Sequence, residues 1–199
     1  AHTRRTDWSP PKLDETFDWQ VPAGSLPLHL RPTIDAFPKV RGFLKPDAAQ
    51  VAEWKARFDA LGPGLKIGIS WRAGGKPLER RKRTIALERW RDIFAVPGVH
   101  FINLQYSDST QELADAQAEL GVKIHDWEAG DPLVDLDGFA AKLSALDLVV
   151  SVGNATVHMA GAVGTDAWTL LPMVPSWRWM VRGQQSMWYS SVRLFRQPT

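Results

Sequence analysis

Residues 146–164 read LDLVVSVGNATVHMAGAVG, and this stretch decides the fold. An apolar run at 148–152 has the length of a buried strand. Gly153-Asn154 breaks it, and small residues at helical spacing come next, with Thr156 and His158 in the first turns. The reading is a strand, a tight turn and a helix whose open N-terminus faces the strand's end. Such a helix start carries unpaired N–H groups and a partial positive charge, so the turn is a seat for a phosphate.

The same alternation extends outward. Residues 46–61 place Val51, Trp54, Phe58 and Leu61 at helical spacing, and Gly62-Pro63-Gly64 ends that helix. An apolar strand is expected at 65–71, with a basic loop after it. Thr84 is expected to cap a helix that buries Ile85, Leu87, Trp90, Ile93 and Phe94. Further strands are expected at 99–104, 122–124 and 167–171, with helices at 109–120 and 139–146. The tail is dense in tryptophan. Strands alternating with helices imply an α/β fold, a Rossmann-like parallel sheet with helices on both faces, over residues 47–199. Residues 1–46, rich in Pro and charge, are read as an irregular segment that ends a truncated N-terminal domain and links it to the sheet.

Composition narrows the function. Of 199 residues 44% are hydrophobic, enough for a sizeable core, and the absence of cysteine excludes disulfides and thiolate metal sites. No apolar run approaches the ~20 residues of a membrane span, and no signal peptide is visible, so a cytoplasmic protein is expected. The first residue, Ala rather than Met, suggests an excised fragment. The net charge is only +2, yet residues 72–83 hold six basic side chains (Arg72, Lys76, Arg80, Arg81, Lys82, Arg83) against Glu79. A nucleic-acid binder spreads its basic residues along a face and interleaves aromatic platforms. One basic loop on a mildly acidic body points to a small anionic ligand, with no nucleic acid as partner.

Ligands of parallel α/β sheets bind at the carboxyl ends of the strands. That location unites three loops: 72–83, 105–108 and 153–158. Gly74-Gly75-Lys76 lacks the spacing of a nucleotide-hydrolase phosphate loop, and no GxGxxG occurs. Asn154 and Thr156 are compatible with helix capping as well as ligand contact. At His158 the helix dipole disfavours imidazolium, so a neutral ring can donate one hydrogen bond to an anion or sugar hydroxyl. Asp135-Leu136-Asp137 is read as a helix start capped by Asp137 rather than as a metal-binding DxD. His2, His29, His100 and His125 show no metal-ligand spacing, so no metal is assigned. Trp177, Trp179 and Trp188 are read mostly as packing of a closing segment rather than as sugar platforms.

Several of these segments together resemble one family. They are Ile69-Ser70-Trp71, the Arg-rich loop ending Lys82-Arg83-Thr84, Leu104-Gln105-Tyr106, Leu146-Asp147, the run from Val157 to Ala162, Trp177-Arg178-Trp179, Trp188-Tyr189 and Phe195-Arg196-Gln197. With Val21-Pro22 and Ser25-Leu26-Pro27, the similarity runs from about residue 20 to the end. The family is the C-terminal half of bacterial glycosyltransferases often joined to tetratricopeptide repeats. It is related to the lipopolysaccharide heptosyltransferases of glycosyltransferase family 9 and to the O-GlcNAc transferases. The resemblance implies the C-terminal, donor-binding half of a GT-B fold that takes a nucleotide sugar without a chelated metal or other cofactor. It implies a protein or glycan acceptor held mainly by the other domain, and an isolated fragment without turnover. By position, Arg72, Lys76, Arg81, Arg83 and Gln105 would lie near the phosphates, and Asn154, Thr156 and His158 near the phosphates, ribose or donor sugar. The catalytic base is left unassigned. Relatives commonly carry Asp-Thr where this chain has Gly153-Asn154, which leaves room for a different donor sugar or a weakened activity. The alternative is a non-catalytic nucleotide- or sugar-binding module derived from the same fold.

Overall fold

The computed structural model describes residues 18–75 and 77–198. They fall into two compact units that divide after Phe37. In the first, a 3-10 turn at Ala23–Ser25 leads into α1 (Leu26–Leu30), and a second 3-10 turn covers Ile34–Ala36. None of the residues of α1 is buried. Residues 1–17 of the expected irregular segment lie outside the described residues.

The second unit, from Pro38 onward, is an α/β domain. Its strands are β1 (Leu65–Ser70), β2 (Val99–Asn103), β3 (Ile124–His125), β4 (Leu148–Val152), β5 (Ala167–Leu171) and β6 (Val192–Arg196). All neighbours pair in parallel, in the order β3-β2-β1-β4-β5-β6. The order reverses between β1 and β4, and the crevice at such a reversal is where open α/β sheets bind ligands.

Both sheet faces are buried, so the central strands read as continuous apolar runs. On one face Ile102, Leu104, Val149 and Ala167 meet Trp54 and Phe58 of α2 (Ala48–Asp59), Phe139 and Leu143 of α6 (Leu136–Ser144), and Val157 and Ala160 of α7 (Ala155–Val163). On the other, Ile67, Ile69, Phe101 and Val150 meet Leu87, Trp90 and Ala116. Successive residues such as Val149 and Val150 serve opposite faces because side chains alternate along a strand. Lys66 fixes the start of β1: its backbone N–H donates to Asp147 Oδ2 at 2.7 Å, and its buried Nζ donates to the carbonyls of Gly62 and Gly64 at 2.7 Å each.

Residues 38–46, assigned to the linker by sequence, belong to this second unit. Phe43 N and Leu44 N both donate to Ala162 O at the end of α7, and the Phe43 ring stacks on Tyr189 at 6.4 Å. Gly164, at φ 85°, ends α7 in the left-handed region, which a side chain rarely adopts.

Four local expectations change. The basic loop contains a helix, α3 (Pro77–Lys82), since Pro suits its first position and Leu78, Arg80, Arg81 and Lys82 are good helix formers. Thr84 does not cap the next helix: its hydroxyl donates back to Arg80 O at 2.8 Å. The chain next forms a 3-10 turn, Leu87–Trp90, running into α4 (Arg91–Phe94) without a side-chain cap. The cap of α6 is Asp135 rather than Asp137, with Oδ1 2.8 Å from Gly138 N. β6 was not expected; it is a short edge strand whose exposed Arg193 interrupts the apolar pattern. α5 (Thr110–Leu120) ends at Gly121 as expected.

Candidate functional site

A buried chain of polar side chains ties together the carboxyl ends of β2, β1 and β4. Asp126 Oδ1 accepts from Asn103 Nδ2 at 3.1 Å, and Asn103 Oδ1 accepts from Gln105 N at 2.8 Å. Gln105 Oε1 then accepts from the Ser70 hydroxyl at 3.2 Å, Trp71 N at 3.1 Å and Arg72 N at 2.7 Å. Asn154 Nδ2 donates to Ser70 Oγ at 2.8 Å and to Arg72 O at 3.0 Å. Its Oδ1 accepts from Thr156 N at 3.0 Å, which makes Asn154 the N-cap of α7. Gln105 and Asn154 therefore engage their polar atoms inside the protein. They shape the turn after β1 and aim the start of α7, and the backbone above them forms the site's floor.

The arginines lie over this floor. Arg72 runs toward α5, with Nη2 2.8 Å from Asp108 O and Nη1 3.3 Å from Glu112 Oε2. Half-buried Arg83 reaches back from beyond α3. Its Nη2 donates to Gly74 O at 2.8 Å, and its Nη1 stands 3.5 Å from Gly153 O. It thus bridges the loop after β1 and the turn before α7. Tyr106 sits beneath: burial pushes its phenol up, and Arg83, Arg72 and Arg80 pull it back down. Arg81 is exposed on α3, and Lys76 lies outside the described residues.

In α7 the Thr156 side chain is buried, and its hydroxyl finds no partner among the described residues. The His158 ring stacks on Trp179 at 4.9 Å, and its Nδ1 lies 3.1 Å from Tyr189 OH. Burial, then the nearby Arg178 charge, push the imidazole below the usual histidine range, so the ring is neutral near pH 7. Trp179 is held in turn by Arg196, whose Nη2 donates to its carbonyl at 2.6 Å. Trp177, by contrast, is 58% exposed, and Arg178 lies over its ring at 4.7 Å. Of the three tail tryptophans, only Trp179 is a buried packing residue.

A cavity of about 210 Å³ opens beside Gln105, over the ends of β2 and β3. Asp108, Asp126, Asp131 and Lys142 contribute to its lining. Burial pushes the Lys142 ammonium down to about 8 against the pull of Asp126 and Asp131. Sequence reading missed Ser70, Asn103, Tyr106 and Lys142. The first two are ordinary strand-end residues by pattern, and Lys142 stands in a helix whose other inward residues are apolar.

No family model matches the chain. It is 42% identical over 181 residues to Protein FlbA of Caulobacter vibrioides, an alignment that covers 91% of this chain and 30% of that protein. Its backbone resembles E. coli ADP-heptose LPS heptosyltransferase II, with a TM-score of 0.56 at 14% identity over 86% of this chain and 50% of that one. It also resembles the glycosyl transferase family 9 protein of Veillonella parvula, with a TM-score of 0.51 at 12% identity over 79% and 43%. The likeness to the solved structures is one of fold. The chain spans less than a third of FlbA and half or less of each glycosyltransferase. No helix among the described residues is long and apolar enough to cross a membrane.

Proposed function

We propose that this domain is the donor-binding half of a GT-B glycosyltransferase, which binds a nucleotide-activated sugar for transfer to a protein or glycan acceptor. The observation that carries the proposal is the capped start of α7 at the β1–β4 reversal, with Arg83 bridging the two loops that flank it. In this reading the diphosphate lies over that helix start, between Arg72 and Arg83, with Arg81 at the rim. The nucleoside extends over β2 into the cavity lined by Asp126 and Lys142. The sugar lies toward Thr156, His158 and the Trp179 ring.

The chemistry arises from charge. As the bond between the sugar's anomeric carbon and the phosphate oxygen breaks, its electron pair moves onto the departing nucleotide. Guanidinium groups and helix N–H dipoles fixed before the reaction stabilise that developing charge where a metal ion otherwise would. Neutral His158 donates one hydrogen bond without adding repulsion toward the oxocarbenium-like sugar. The acceptor site and the base that takes the acceptor's proton are assigned to the opposing domain of the GT-B pair, and a cytoplasmic location goes with this reading.

Calorimetric titration with UDP, GDP, ADP and CMP, with and without an attached sugar, tests the site. Binding of none of them sinks the donor-site assignment. Binding of a donor, with no transfer by the full-length protein across an acceptor panel, leaves a nucleotide-sugar-binding module instead.

A further inference from the structure

The cavity over β2 and β3 holds a charged group that the proposed transfer does not use. Lys142, near the end of α6, is 3% exposed, yet its Nζ makes no hydrogen bond or ion pair among the described residues. It stands instead over the face of Trp54, 5.1 Å from Nζ to the ring centroid. Asp126 and Asp131 line the same cavity. Each has engaged one oxygen: Asp126 Oδ1 with Asn103 Nδ2 at 3.1 Å and Trp127 N at 2.9 Å, Asp131 Oδ1 with Leu133 N at 2.8 Å. The cavity therefore presents a strong donor with no acceptor, beside two acceptors with capacity to spare.

An ammonium largely desolvated at a cavity wall, with no acceptor from the protein, is poorly compensated. A ligand that brings an oxygen acceptor next to an N–H donor meets both halves of the lining. We infer that the cavity selects a nucleobase with a ring carbonyl beside a ring N–H (uracil or guanine) over adenine, with the carbonyl oxygen accepting from Lys142 and the adjacent N–H donating to Asp126 or Asp131. Adenine carries no carbonyl. Its acceptors are ring nitrogens with one in-plane lone pair each, and they leave an ammonium with three N–H groups under-satisfied. Sites built around a buried polar group reject analogues that leave that group unpaired. This inference rests on the nucleotide-sugar reading of the site.

The test is calorimetry on the full chain with UDP, CDP, GDP, ADP and inorganic pyrophosphate, for the wild type, Lys142→Met and Arg83→Ala. UDP or GDP should bind ~10-fold or more tighter than ADP, a modest version of the discrimination expected at a polar site. Lys142→Met should bring that nucleotide down to the affinity of ADP and leave pyrophosphate unchanged, whereas Arg83→Ala should weaken every ligand alike. The Met stem retains the apolar contact with Trp54, and the wild-type panel decides the matter whether or not the variant folds. ADP binding as tightly as both UDP and GDP, or a preference that survives in Lys142→Met, overturns base selection and leaves the nucleotide site standing. If even pyrophosphate fails to bind, the donor-site reading falls as well.

Discussion

A Cβ built on Gly153 would stand 3.0 Å from Nε1 of Trp179. The same atom would meet Leu171 Cδ2 at 3.2 Å, so the absence of a side chain at 153 lets the indole close over the turn before α7. Trp179 in turn carries the His158 ring at 4.9 Å. Gly153→Ala must therefore shift the surface on which His158 stacks. Small overpacking of this kind costs about 1 kcal/mol, which for a domain of this size lowers Tm by about 2–4 °C. Differential scanning calorimetry reads the shift, and an unchanged Tm would show that Trp179 yields freely.

Asn154 is both a helix cap and a tie between strands. Asn154→Ala removes the cap on Thr156 N and also the bonds to Ser70 Oγ and Arg72 O. Caps are worth about 1 kcal/mol and buried hydrogen bonds a similar amount each, so the loss should reach about 2–3 kcal/mol. Asn154→Ser keeps a capping oxygen but cannot span to β1, and should fall between wild type and Ala. Urea denaturation orders the three, and equal midpoints for Ser and wild type would show that the inter-strand tie adds no stability.

The fold was legible because its signals are local. Runs such as 148–152 match a buried strand in length, and Gly62-Pro63-Gly64 and Gly121 stop helices where expected. The grouping of the loops at 72–83, 105–108 and 153–158 came from the rule that ligands sit at strand carboxyl ends. What the sequence hid depends on distance along the chain. Nothing near Gln105 indicates that its carbonyl serves Trp71 N and Arg72 N, 34 and 33 residues away. Asn154 and Ser70 are 84 apart. Asp135 displaced Asp137 as the cap because α6 begins at Leu136, ahead of the apolar pattern that starts at Phe139, a choice between two equivalent side chains that periodicity cannot make. Lys142 was invisible for the opposite reason: a lysine on a helix ordinarily faces water.

Arg83 and Arg81 should not contribute equally to anion binding. Arg83 is fixed by Gly74 O at 2.8 Å, whereas Arg81 is exposed on α3 and must be ordered on binding. The double variant Arg81→Ala/Arg83→Ala should weaken nucleoside diphosphate affinity by at least ~1 kcal/mol, the scale of one charge-assisted contact. The single Arg83→Ala change should supply most of that loss. Isothermal titration measures it, and full affinity in the double variant would place this loop in solvent.

His158 gives the domain an acid-sensitive step. Burial and Arg178 hold the folded-state imidazole below the unfolded value of about 6.5. The unfolded chain therefore takes up its proton first. The stability that neutral His158 contributes is full above pH ~6.5 and declines as pH falls from there through the lower folded value, then levels off. His158→Gln should flatten this slope between pH 7 and 5 even though it also loses stacking on Trp179. The check is the pH dependence of the urea midpoint in both proteins, and parallel curves would assign the acid step elsewhere.

Lys142 should show the reverse of an ordinary stabilising residue. Its folded-state value of about 8 lies below the value of about 10.4 for a lysine in the unfolded chain. Between those two limits the unfolded chain binds the proton and the folded chain does not. The folded state thus loses stability as pH drops from ~10.4 to ~8, and the loss stays constant below that. At about 1.4 kcal/mol for each pH unit, the loss at pH 7 is roughly 3 kcal/mol. Lys142→Met removes it while keeping an apolar stem against Trp54, so the variant should be more stable than wild type at pH 7, with the advantage vanishing near pH 10. Paired urea melts at the two pH values measure the difference. A variant less stable at pH 7 would mean that Asp126 and Asp131 already compensate the charge. A variant that gains stability and loses its choice of base would mark Lys142 as a residue retained for its ligand, since groups that serve binding are commonly kept at a loss of stability.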